Sequence, residues 1–259
     1  MEENEFSCRS CSAEPTNTIN VRRFFEKLDA CFDKNDLEGA KNVLDFWATE
    51  ARGLGDYCGL LSVLNEKIGF TRRNGDKATA LATAEEIASI IDKGGRNRVS
   101  VATVLVNLGT TLNHFNEGEK GLKYFEEAEK TYDRYCMDES YEYASLLNNR
   151  AATYIALNKK QDALRDYKRA LAILEKLDGS QKEQAETYAN IAELIAPDSI
   201  KEADENLDKC WEKLTDETLA HDGEYAFTLT KCAPAFRNLG REIEAEVLTD
   251  IAKEIYSAQ

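Results

Sequence analysis

Cys8 and Cys11 stand in CxxC spacing, the arrangement in which two thiolates reach one zinc ion. A closed site needs two further ligands, and no second CxxC or HxxxH follows. The two histidines, His114 and His221, lie far apart in the chain. No metal site is expected, and residues 1–17 read as a flexible N-terminal tail. Cys31, Cys58, Cys136, Cys210 and Cys232 fall mostly at apolar positions, where a thiol behaves as a small hydrophobe, and no disulfide framework is indicated. The patterns GxSxG, GxxxxGKS/T and HExxH are absent. The many carboxylates stand beside lysines or arginines, as in EEAEK and RDYKRA, the pattern of a solvated helix face. Neither an enzymatic activity nor a cofactor is expected.

The amides offer a different chemistry. Asn107, Asn149 and Asn190 recur at spacings of 42 and 41 residues. An Asn side chain carries one acceptor and two donors, so it can satisfy both polar groups of a peptide bond laid across it. Lys231 takes the equivalent place further along the chain, and Glu66 and Glu26 take it earlier. Asn148, Asn113, Thr110, Thr103, Arg73 and Arg237 are candidates to share the same wall. Pro234, three residues after Lys231, is expected to kink its helix and turn that lysine elsewhere. Two readings stay open for the asparagines: a ladder that holds the main chain of a ligand, or caps and bridges between neighbouring helices.

The elements that position these residues follow from a repeat. Leu147, Ala151 and Tyr154, then Ala163, Tyr167 and Ala170, match Leu105, Gly109, Leu112, Gly121, Phe125 and Ala128 upstream. The same order of small and large residues returns as Tyr188, Ala192, Ile195, Ala203, Leu207 and Cys210, and as Leu229, Ala233, Phe236, Ala245, Thr249 and Ala252. A weaker copy runs through Phe24, Leu28, Cys31, Ala40, Leu44 and Trp47, and the least regular from Leu64 and Ile68 to Ala78, Leu81 and Ala82. In each copy apolar residues three and four apart mark two amphipathic helices, broken at a polar turn such as KNDLEGA, FNEGEKG or LNKKQDA. Turns this short make the two helices antiparallel. With only three prolines in 259 residues, an all-α chain of about six helical hairpins is expected, each covering the apolar face of the next. Most aromatic residues fall at repeat-defining positions and read as core.

A small residue, an aromatic three later, a small residue twelve after the first, then an aromatic or leucine and an alanine: this order resembles the tetratricopeptide repeat over about residues 20 to 257. The step of about 42 residues departs from the usual 34 and is similar to that of kinesin light chains and of Rap-type peptide-sensing regulators. The resemblance implies a right-handed α-solenoid of about twelve antiparallel helices, a single domain over residues 18–259, with the first helix of each hairpin lining a concave groove. It further implies that Asn107, Asn149 and Asn190 hold the main chain of a protein or short linear peptide. If first helices lie ~10 Å apart and an extended strand advances ~3.3 Å per residue, three rungs span roughly six or seven residues.

Net charge of −15 opposes binding to phosphate backbones and anionic lipid surfaces, so neither nucleic acid nor membrane is an expected partner. No run of about 20 apolar residues occurs, and the acidic, polar amino terminus does not read as a signal peptide, which points to the cytoplasm. The functional expectation is an adaptor or scaffold that binds protein or peptide. A Rap-like peptide-sensing regulator and a self-associating structural solenoid, a homodimer in its simplest form, are the alternatives.

Overall fold

The computed structural model describes residues 17–94 and 99–258. Cys8, Cys11 and all but the last residue of the expected tail lie outside the described residues. Twelve helices and no strands occur among the described residues. In chain order they are α1 (Val21–Phe32), α2 (Leu37–Leu54), α3 (Tyr57–Arg73), α4 (Lys77–Gly94), α5 (Val99–His114), α6 (Gly118–Arg134), α7 (Tyr141–Ala156), α8 (Lys160–Leu174), α9 (Gln181–Ile195), α10 (Ile200–Leu214), α11 (Gly223–Asn238) and α12 (Glu242–Ala258). Odd and even helices pair as six hairpins. The chain divides between Cys136 and Met137 into two compact units, one holding α1 to α6 and the other α7 to α12. In the first, α3 packs on α2 and α5; in the second, α9 packs on α8 and α11.

The hairpin turns share a local cause. Asn35, Gly75, Asn116, Asn158 and Gly240 all have positive φ, the left-handed conformation that glycine and asparagine enter at least cost. The residue after each donates its backbone N–H to the carbonyl five positions earlier, as Glu117 does to Leu112 and Lys159 to Tyr154. That bond ends the first helix and reverses the chain. The turn between α9 and α10 lacks such a residue and passes instead through Pro197. Side-chain caps start several helices, with Asp36, Asp56, Ser140 and Asp222 each accepting from the backbone N–H three residues on.

Small residues set the distance between helices. At Gly109 an added Cβ would lie 2.9 Å from the Phe125 ring and 3.0 Å from the Gly121 carbonyl oxygen; at Gly121 it would lie 2.7 Å from the Gly109 oxygen. The α5 and α6 backbones touch there. Ala151 and Ala163 occupy the same places in the α7–α8 hairpin and are fully buried, as are Ala128, Ala170, Ala192, Ala203 and Ala245, while Ala233 is nearly so. Tyr167 is buried beside them and Tyr154 is half-buried. Each large side chain buried this way, Phe24, Phe125 and Phe236 among them, contributes roughly 1.5–3 kcal/mol of transfer free energy.

One register differs from expectation. Ala78 and Ala82 are exposed and Leu81 half-buried, and the buried face of α4 is Ala80, Ala84 and Ile87. These three keep the repeat's spacing, with Ala80 twelve residues after Ile68. α4 carries alanines at 78 and 82 on one face and at 80 and 84 on the opposite one, so apolar content alone does not mark the inner face.

Candidate functional site

The second unit contains a groove of about 490 Å³ lined by the first helices of three successive hairpins. Tyr141, Ser145, Asn148, Asn149 and Ala152 come from α7, Glu183, Glu186 and Asn190 from α9, and Glu224, Phe227, Thr228 and Lys231 from α11; Tyr167 and Leu174 of α8 form the floor. Beneath it, Arg150 donates through Nε to Asp166 at 2.6 Å, both side chains buried, and ties α7 to α8. Arg169 lies against Tyr143, its guanidinium carbon 4.7 Å from the ring centroid and an Nη 2.8 Å from the hydroxyl. These contacts lock the helices that carry the groove wall.

The wall is bridged by side chains one repeat apart. Tyr141 donates to Glu183 at 2.9 Å, and Thr228 to Glu186 at 3.2 Å, each pair separated by 42 residues. Lys182 pairs with Glu224, again 42 residues on. Lys231 reaches Glu186 at 2.9 Å with its ammonium 4.5 Å from the centre of the Phe227 ring. The Tyr141 phenol is pushed well above its usual range, first by burial, then by the hydrogen bond to the Glu183 carboxylate and by the negative charges of Glu224 and Glu186. Three carboxylates therefore act on one point at the amino-terminal end of α7.

Asn149 donates to the Ser145 carbonyl at 2.8 Å within its own helix, which leaves its amide oxygen without a partner in the protein. Asn148 donates to Thr187 at 2.9 Å, and its own amide oxygen is buried and unpartnered. The Asn190 amide, half-buried on the groove wall, makes no hydrogen bond within the protein. α11 runs through Pro234 as one helix, and Lys231 lines the groove rather than turning away from it. Arg237, three residues beyond Pro234, pairs with Glu242 at 3.3 Å.

The remaining candidates belong to the first unit. Asn107 donates to Asn65 at 2.8 Å, a bridge between α5 and α3. Thr110 turns its hydroxyl back to the Val106 carbonyl at 2.8 Å. The Asn113 amide oxygen is buried without a partner. Thr103 lies 3.3 Å from the Tyr132 hydroxyl, Arg73 is exposed, and Glu26 pairs with Arg22 at 3.0 Å. Asn65 and Glu66 edge an apolar recess of about 190 Å³ that includes Phe25, Leu61, Val101 and Val104. Burial holds the Glu66 carboxyl above its usual range, against the hydrogen bond from Asn65 and the charge of Arg73.

The reading from sequence misses Glu183, Glu186, Glu224, Phe227, Tyr141 and Ser145. The spacing of 42 that links Tyr141 to Glu183 and Glu186 to Thr228 is the same period as the asparagines, and a search for polar pairs at that period finds them. Among the described residues no group of three His, Cys, Asp or Glu side chains is placed to hold a metal ion, and no helix is long and apolar enough to cross a membrane.

Residues 100–176 match the family model of the tetratricopeptide repeat. BtubC (BKLC) from P. vanneervenii superimposes with a TM-score of 0.60 at 18% identity, covering 93% of this chain and 92% of that one. The structure of nearly identical TPR-like repeats of a kinesin light chain from Podosopora anserina gives a TM-score of 0.57 at 16% identity, covering 76% of this chain and 95% of that one. A search of curated proteins finds no match. The fold is thus that of tetratricopeptide-repeat helical hairpins, shared with these two structures, as its small and aromatic positions lead one to expect.

Proposed function

We propose that this chain, a tetratricopeptide-repeat protein of the kinesin-light-chain type, is an adaptor that holds a short extended segment of a partner protein in the groove of α7, α9 and α11. Tetratricopeptide repeats generally mediate protein–protein interaction and are typically non-enzymatic scaffolds. The observation that carries the peptide reading is the set of amides left unsatisfied on one wall. Asn190 has no internal partner and Asn149 keeps its oxygen unused. The Asn149 oxygen and the Asn190 amide stand at the half-buried groove wall, where the main chain of a ligand can replace water on them. The five described cysteines are free thiols, which fits a cytoplasmic setting.

Heptapeptides selected from a random display library on the native protein test this, with affinities measured by fluorescence anisotropy for the wild type and for Asn149→Ala/Asn190→Ala. Two lost hydrogen bonds of roughly 1 kcal/mol each weaken binding about 30-fold. Failure to select any binder, or unchanged affinity in the double variant, overturns the reading.

A second reading has its own observation. On α12, Ile243 is 77% exposed and Val247, one turn on, 40% exposed, an apolar stripe on the face turned away from α11. Self-association through α12 would show as a concentration-dependent mass in light scattering that Ile243→Lys abolishes.

A further inference from the structure

The charge of the groove of α7, α9 and α11 says what kind of segment fits it. Glu183, Glu186 and Glu224 line it against one ammonium, that of Lys231. Lys182, beside it on α9, is engaged by Glu224. The hydrogen-bond partner of Glu183 is a neutral phenol, Tyr141. Phe227 and Tyr141 present aromatic surface that is 50% and 48% exposed. A carboxylate beside an aromatic face is what a lysine or arginine side chain recognises, the first by ion pairing and the second by attraction of the cation to the ring.

We infer that the groove takes a basic segment of a partner protein, with a lysine or arginine seated on Glu183, Glu186 and Phe227, and that Lys231 fills this place while the groove is empty. The inference rests on the peptide reading above and adds the sign of the ligand's charge. Lys231 already makes the contacts in question, 2.9 Å to Glu186 and 4.5 Å to the Phe227 ring. Its side chain is 46% exposed on a flexible stem, so it can leave without disturbing the core. Burial first, and then the Glu183, Glu224 and Glu186 carboxylates, raise the Tyr141 phenol, so all three carboxylates act on that side of the groove. An acidic or phosphorylated segment would meet that field as repulsion, in a chain of net charge −15. The ligand is a protein segment rather than a free polyamine because the amides of Asn149 and Asn190 beside the carboxylates match a peptide main chain.

Four fluorescein-labelled heptapeptide pools test this, each random except for a fixed central Lys, Arg, Gln or Glu, titrated in low and high salt against the native protein and single variants. The Lys and Arg pools bind at least about tenfold tighter than the Glu pool at low salt, and the difference shrinks as salt screens it. Glu183→Gln and Glu186→Gln each weaken the Lys pool about 3- to 10-fold, whereas Lys231→Met tightens it by about the same factor. The exposed pair Lys123 and Glu126 on α6, changed to Met and Gln, moves affinity less than about twofold and controls for net charge. A Glu pool that binds as well as the Lys pool overturns the inference. So does a Lys231→Met variant that weakens binding, because Lys231 would then be a ligand contact. Binding that needs Asn149 and Asn190 but ignores the fixed residue's charge sinks this inference and leaves the peptide groove standing; absence of binding by every pool sinks both.

Discussion

Replacing Gly121 by alanine isolates the contact that sets the α5–α6 distance. In a helix interior, Gly to Ala ordinarily stabilises by up to about 1 kcal/mol, because alanine loses less backbone freedom on folding. Here the new Cβ would lie 2.7 Å from the Gly109 carbonyl oxygen and 3.5 Å from its carbonyl carbon and Cα. Those atoms are backbone, so no rotamer change relieves the contact and the helices must move apart. Overpacking of this kind costs about 1–3 kcal/mol, which outweighs the propensity gain and leaves a net loss of about 1–2 kcal/mol. Gly53 on α2 is the matched control, since a Cβ added there would have no neighbour within 4 Å and its backbone is helical. Gly53→Ala should gain about 0.5 kcal/mol. By calorimetry the two variants shift the melting temperature in opposite directions, Gly121→Ala down by about 2–6 °C and Gly53→Ala up by about 1–2 °C. A Gly121→Ala variant as stable as the wild type would refute the claim that backbone contact at this glycine governs the hairpin.

Asp166→Ala takes the carboxylate from the buried Arg150 guanidinium and should cost about 3–5 kcal/mol, read from urea unfolding, whereas breaking an exposed pair such as Lys176–Glu139 should move the urea midpoint far less. Glu66 carries a raised carboxyl in the folded state, so the fold holds a proton that the unfolded chain releases above its ordinary value of 4.5. Its contribution to stability therefore falls as pH rises from about 4.5 through the raised folded value, and Glu66→Gln should be more stable than wild type at pH 7, with the advantage fading toward pH 4.5. An advantage independent of pH in urea titrations would contradict burial as the cause. Asn158→Ala forces a Cβ residue without a polar side chain into φ of 57° and should lose about 1 kcal/mol, while Asn158→Gly should change melting by less than half of that.

The hairpins are legible in the sequence because the small positions are rare in kind and strict in spacing. Gly109 and Gly121, or Ala151 and Ala163, stand twelve apart with the ring of Phe125 or Tyr167 four later, and each such set ends up buried. α4 defeats that reading for a physical reason. In KATALATAEE two opposite helix faces carry alanines, and only the turn at Gly75 and the small residue due twelve after Ile68 select Ala80 over Ala78 and Ala82. Asn149, Asn190 and Lys231 are legible as equivalent places because polar residues at a repeat's period point the same way. The carboxylates beside them are not, since Asp and Glu make up 48 residues and most lie on solvated faces. Pro234 misleads in the other direction: it stands exposed in the last turn and a half of α11, and the helix carries on past it.

One period thus serves two purposes in the same helices. Inward, the 42-residue step repeats shape, small against aromatic, and closes each hairpin on its partner. On the groove wall it repeats polarity, so that Tyr141 meets Glu183, Lys182 meets Glu224 and Thr228 meets Glu186 one repeat away. Bridges of this kind are exposed enough to be worth little in stability, a few tenths of a kcal/mol apiece. Their consequence is orientation. A carboxylate held by a neutral hydroxyl, as Glu183 is by Tyr141, keeps its negative charge and a fixed direction, whereas Glu186 is shared between the Thr228 hydroxyl and the Lys231 ammonium. Lys231 and Lys182 offset Glu186 and Glu224 only in part, so the wall keeps a net negative charge beside amides with spare hydrogen-bonding capacity, and the proposed ligand is accordingly a basic, extended chain.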